Sequence, residues 1–110
     1  MNRLSEYRIM WVLVFFDLPT ATKKDKQEYI LFRKKLMMDG FYMFQFSIYV
    51  RHCASAENAA VHVKRVKSFL PTKGHICIMQ ITDKQFGAIE VFEEEKEDKP
   101  ASGGIQLELF

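Results

Sequence analysis

The sequence is poor in the residues that mark several protein classes. It has only two cysteines, Cys53 and Cys77, and no C-x-x-C pair. Reduced, buried thiols are therefore expected rather than a disulfide framework or a redox pair. Its three histidines, His52, His62 and His75, lack the paired spacing of zinc ligands. There is no glycine-rich phosphate loop and no G-x-G-x-x-G. Ser47 has no neighbouring base in the sequence, so nothing supports a catalytic triad. No apolar run reaches the roughly 18 residues that a membrane span needs. The stretch Ile9 to Phe16 has no small-residue cleavage site and runs straight into Asp-Leu-Pro, unlike a signal peptide. A cytoplasmic protein without a membrane partner is the expectation.

What is present is a core. Apolar residues make up 48% and aromatic residues 14% of 110 residues, including ten Phe, which excludes disorder of the whole chain and fits one domain. Charge is unevenly spread. Residues 1–87 hold 14 Lys/Arg against 7 Asp/Glu, a balance of +7, and residues 88–110 hold 2 against 7, a balance of −5, which together give the net +2. A basic body with an acidic tail permits a polyanionic partner.

Along the chain, residues 8–16 are rich in β-branched and aromatic side chains without polar alternation, which predicts a strand covered on both faces. Pro19 stops it, and Thr20 or Thr22 can cap a helix over 22–39, closed by Gly40. Tyr29, Phe32 and Leu36 form that helix's apolar stripe, and Met37 and Met38 read as core filler. Residues 41–52, "FYMFQFSIYVRH", are extended, with a bend or tight hairpin near Gln45 to Ser47 as the alternative to one long strand. A second helix over 55–70 starts at Ser55 and ends at Pro71, with Ala59, Val63, Val66 and Leu70 as its stripe and His62 solvated beside it. "HICIMQIT", 75–82, is another covered strand, and "GAIEVFE", 87–93, is expected as a short one. The acidic stretch 93–104 has a linker's composition, and the terminal "IQLELF" alternates like an added strand. Two units follow: a body over 1–93 and a tail over 94–110.

If the extended segment supplies two strands, the order is βαββαβ, the ferredoxin-like α+β arrangement of an antiparallel sheet with both helices on one face. The other face would then be apolar and open. A second copy packed sheet to sheet about a twofold axis would cover it.

Two groups of residues carry chemistry. Asp17 ends the first strand in "VFFDLPT". A twofold dimer would bring two such carboxylates together, suited to a hard divalent ion such as magnesium. The simpler reading is a turn aspartate bonded to a nearby backbone N–H. Lys23, Lys24, Lys26, Arg33, Lys34 and Lys35 make the first helix basic, suited to neutralising phosphates. The competing reading is a solvated helix face.

The stretches "VFFDLPTATKK", "GFYMFQFSIYVR" and "GHICIMQITDKQF", in this order, resemble CRISPR-associated protein 2, the small subunit of the spacer-acquisition machinery, in its type II form. The resemblance spans about residues 7–90. It implies a ferredoxin-like homodimer whose last short strand extends the partner's sheet. It also implies a metal-dependent endonuclease acting on RNA or DNA, with the magnesium-binding, catalytic aspartate at Asp17 and the preceding aromatic at Phe16. The family's Q-x-S-x-aromatic run falls on Gln45, Ser47 and Tyr49. Some nuclease-active relatives carry arginine where this chain has Met43, a departure that weighs against cleavage. The family's other implied role is structural. The dimer bridges two dimers of the integrase subunit and carries double-stranded prespacer DNA on a basic surface, here the lysines above together with Arg33 and Arg51. The tail then reads as a tether to that integrase subunit.

Overall fold

The computed structural model describes residues 9–94. Four strands form one antiparallel sheet: β1 (Met10–Asp17), β2 (Tyr42–Gln45), β3 (Ile48–Cys53) and β4 (His75–Thr82), in the spatial order β2-β3-β1-β4. Helices α1 (Lys23–Met38) and α2 (Ala56–Ser68) join β1 to β2 and β3 to β4, and a short helix α3 (Asp83–Gly87) follows β4. This is the βαββαβ order and strand arrangement of the ferredoxin-like fold.

Local signals set the boundaries. Thr22 caps α1 through a reciprocal pair: its hydroxyl accepts from the Asp25 N–H, and the Asp25 carboxylate accepts from the Thr22 N–H. Ser55 caps α2 by accepting from the Asn58 N–H. The extended segment breaks after Gln45, where Phe46 and Ser47 turn the chain and Ser47 takes a left-handed φ of 66°. The bend is therefore a hairpin, made without glycine or proline. Gly40 has φ 90°, and a Cβ there would sit 2.9 Å from the Arg51 Nε, so glycine also makes room for that guanidinium.

The core lies between the sheet and the two long helices. Alternate residues of β1 (Met10, Val12, Val14, Phe16) face α1 and α2 and meet Phe32, Leu36, Tyr49, Cys53, Ala59 and Val66. Phe16 is its aromatic hub, with ring centroids 5.2 Å from Phe32, 5.6 Å from Tyr49 and 6.1 Å from Tyr29.

The opposite sheet face carries Trp11, Leu13, Phe15 and Asp17 of β1. In register, Leu13 lies beside Val50 and Met79, Trp11 beside His52 and Ile81, and Asp17 beside His75. One end of this face is covered by the chain itself. Phe86 of α3 stacks on Trp11, with centroids 3.8 Å apart and planes 10° apart, and Phe44 and Tyr42 complete the cluster. The Trp11 indole N–H donates to Asp83 at 2.7 Å. Toward the Asp17 end Cys77, Met79 and Phe46 stay exposed.

Several expectations are corrected. Residues 87–93 form no strand in the described chain. Thr82 and Gln85 make a reciprocal cap that starts α3, the Trp11–Phe86 stack holds it, and residues 88–94 carry no regular structure. His62 is buried, not solvated, because α2 turns Ala59, His62 and Val66 inward together. Leu70 lies past the helix end and is exposed. Met37 and Met38 face solvent because Leu36 takes the core position and the chain turns at Asp39. Cys53 is buried, and burial pushes its thiol pKa up, but Cys77 is exposed on the sheet's open side. The tail from residue 95, with "IQLELF", lies outside the described residues. Among the described residues no helix is long and apolar enough to cross a membrane.

Candidate functional site

The strand parity that sends Phe16 into the core sends Asp17 to the open face, where its carboxylate is exposed. No hydrogen bond or ion pair engages it among the described residues, so the Asp17 side chain is not the turn-bonded aspartate of the simpler reading. The backbone around it is firmly placed. Phe16 N–H donates to the Ser47 carbonyl at 3.0 Å, tying the strand end to the hairpin turn on one side. On the other side, Gly74 has φ 101°, and a Cβ there would come within 2.8 Å of the Asp17 carbonyl oxygen and 2.6 Å of the Leu18 side chain.

Of the remaining motif residues, Ser47 is tied to this strand end through its backbone carbonyl. Gln45 is exposed at the end of β2 and Ser47 is half-buried in the turn. Tyr49, like Phe16, belongs to the helix-facing core, and its hydroxyl accepts from the Arg33 Nε at 2.7 Å. The guanidinium also lies over the Tyr49 ring, 6.0 Å from its centroid, and that hydrogen bond pushes the Arg33 pKa above its ordinary value. Arg33 is thus half-buried packing for the core as well as a positive charge. Arg51 is similarly engaged, donating to the Asp39 carbonyl at 2.8 Å and the His52 carbonyl at 2.6 Å.

The lysines differ. Lys23, Lys24, Lys26, Lys34 and Lys35 are all exposed on α1. Lys35 lies 5.9 Å from the Phe69 ring centroid. The exposed Lys64, Arg65 and Lys67 of α2 add charge on the same helical layer, although Arg65 bonds Asp39 at 2.9 Å. Asp25 meets Lys73 at 3.8 Å, so this acid is turned to the loop before β4 and to its own cap. Its carboxyl is held below the usual range, chiefly by the Thr22 backbone bond. The result is a layer of flexible cations over the helices, on the side of the sheet opposite Asp17.

Asp39 caps the far end of α1 and organises a second cluster, which the sequence did not announce. Its carboxylate meets His62 Nδ1 at 2.7 Å and accepts from Arg65 at 2.9 Å. Burial alone would raise its pKa, but the His62 and Arg65 hydrogen bonds and charges outweigh it and hold the carboxyl below 3.8. With Arg51 on its carbonyl, Asp39 ties α1, α2 and β3 together, a structural role away from the open face.

The donor set at Asp17 fits a hard cation in kind: an exposed, unpaired carboxylate oxygen at a rigid strand end. Among the described residues no three His, Cys, Asp or Glu side chains group closely enough to hold a metal. One chain therefore offers part of a site, which suits magnesium, an ion that keeps several waters and takes one or two carboxylates.

An antiparallel β2-β3-β1-β4 sheet with two basic helices on one face and a bare carboxylate at the end of β1 defines a ferredoxin-like α+β protein with a phosphate-compatible surface. The profile of CRISPR associated protein Cas2 matches residues 10–89. A CRISPR-associated endoribonuclease Cas2 of Flavobacterium psychrophilum is 59% identical over 112 residues, covering 99% of this chain and 95% of the relative. That of Parvibaculum lavamentivorans is 50% identical over 101 residues, covering 92% and 100%. That of Paracidovorax avenae is 36% identical over 107 residues, covering 97% and 99%. The chain belongs to the Cas2 family.

Proposed function

We propose that this chain is the CRISPR adaptation subunit whose homodimer carries a prespacer duplex on its basic helices and bridges two dimers of the integrase subunit. The observation that carries this reading is the exposed lysine layer of α1, on the side of the sheet away from Asp17. Mobile ammonium groups contact phosphates without reading bases, which suits a carrier of arbitrary DNA. Pairing of two copies is supported by the apolar surface left at the Asp17 end of the open sheet face and by exposed Ile89, Val91 and Phe92 beyond α3. The acidic tail is the proposed tether to the integrase subunit, and removing residues 94–110 is expected to weaken that association in a titration.

The test is duplex binding across a salt series. Replacing Lys23, Lys24, Lys26 and Lys34 by Gln should weaken binding of unrelated duplex sequences alike and reduce the log–log salt slope by about 1 for each phosphate contact removed. Unchanged affinity and slope would overturn the reading.

A second reading, metal-dependent cleavage of RNA or DNA, is favoured by the unpaired Asp17 carboxylate and by the relatives' names as endoribonucleases. Asp17 of each of two copies would hold one magnesium ion, which when bound would activate water and steady a phosphate. In this chain Asp17 supplies the charge and the rigid strand end fixes its position. Met43 offers no cation to assist.

A further inference from the structure

We infer that His75 is a second metal-binding side chain beside Asp17, and that the pair forms the protein side of a site for a divalent first-row transition ion. The inference rests on reading Asp17 as a metal ligand and adds its neighbour. Asp17 and His75 are direct partners in the β1–β4 ladder. Opposed residues of an antiparallel pair project to the same face with Cβ atoms about 4.5–5.5 Å apart. Two donors bound side by side at about 2.1 Å from one ion lie about 3 Å apart, a distance a carboxylate and an imidazole on such a base can reach.

Both side chains are exposed, and no hydrogen bond or ion pair engages either among the described residues. The backbone holds them in register at the last rung of the ladder. Gly74, immediately before His75, lies so close to the Asp17 carbonyl and the Leu18 side chain that a Cβ there would be only 2.6–2.8 Å from them. A loop end that can accept only glycine pins His75 next to Asp17 while leaving both tips in solvent.

One oxygen and one imidazole nitrogen are a mixed donor pair. Magnesium gains little from the nitrogen, whereas the divalent first-row transition ions gain more, least for manganese and increasingly for the later ions. The remaining coordination positions belong to water or to the same two groups of a second copy. The pair thus changes which metal the Asp17 carboxylate favours.

The probe is manganese(II), titrated into the purified full-length chain and followed by the electron paramagnetic resonance signal of the free ion, with magnesium measured by competition. His75→Gln should weaken manganese binding about tenfold or more, in line with the effect of losing a metal-site partner. It should leave magnesium binding within about twofold, and His75→Ala should behave alike. Both positions are exposed, and an unchanged thermal transition identifies variants that remain folded. If Asp17→Asn weakens manganese binding and both His75 variants leave it unchanged, the inference about His75 is wrong and Asp17 stands as a ligand. If Asp17→Asn also changes nothing, the metal reading of Asp17 fails with it.

Discussion

Asp39→Ala removes the carboxylate that joins the end of α1 to His62 and Arg65 of α2, and leaves the backbone carbonyl that Arg51 of β3 engages. Its partner His62 is 4% exposed, so the lost contact leaves a buried imidazole nitrogen without its acceptor. A hydrogen bond to a charged group in such a place contributes about 1.5–3 kcal/mol. Arg65 is 59% exposed on its side chain, and its share is discounted to about 0–1 kcal/mol. The substitution should therefore destabilise the domain by about 2–3 kcal/mol and lower its melting temperature by about 10–20 °C. The pH dependence carries a second signature. The folded carboxyl is held below its ordinary 3.8, so its contribution is fully present above that value and is lost as pH falls through the lower folded value. Thermal unfolding followed by circular dichroism from pH 3 to pH 7 reads both effects. The parent chain should lose stability on acidification more steeply than the variant. A melting temperature within about 2 °C of the parent at pH 7 would refute the argument, because that carboxylate would then contribute nothing measurable.

Phe86→Ala should uncover Trp11, red-shift its fluorescence and cost about 1–3 kcal/mol, since the stack and its apolar burial are lost together; unchanged emission would show that α3 does not cover this end of the sheet in solution. Gly74→Ala forces a side chain into a left-handed backbone against Asp17 and Leu18, and should destabilise by about 1–3 kcal/mol in chemical denaturation. Asp17→Ala should leave folding and duplex binding intact while abolishing any metal-dependent cleavage in a nuclease assay. Lost duplex binding in that variant would mean that the carboxylate end, and not the lysine layer, carries the nucleic acid.

Most of the fold was legible because the signals were local. Thr22, Ser55 and Gly40 stand where caps and a helix stop must stand, and in the uninterrupted apolar β1 the exposed residue is Asp17. The misreadings came where a partner far along the chain decides the outcome. His62 shares a face with Ala59 and Val66, a spacing visible in the sequence, but the Asp39 carboxylate that makes its burial tolerable lies 23 residues away. Residues 87–93 have a strand's composition. The Thr82–Gln85 cap and the Trp11–Phe86 stack instead set a helix just before them, Asp83–Gly87, after which residues 88–94 carry no regular structure, and only the second of these interactions is non-local. Met37 and Met38 look like core because methionine is apolar, yet Leu36 alone points inward at that turn.

The same division holds at the candidate site. Asp17 was readable as a charge ending an apolar strand, and the α1 lysines as a basic helix face. Arg33 and Arg51 were readable as charges, but not as groups already bonded to Tyr49 and to the Asp39 and His52 carbonyls. His75 gave no sequence signal beside Asp17, because their adjacency depends on the β1–β4 register.

The proposed function requires two copies that together present the helix-face lysines to one duplex. Light scattering of the chain eluting with a short duplex, repeated over a salt series, measures it most directly. A complex containing two chains per duplex that comes apart as salt rises is the expected result. A complex of one chain per duplex, or one whose stability is indifferent to salt, would contradict it.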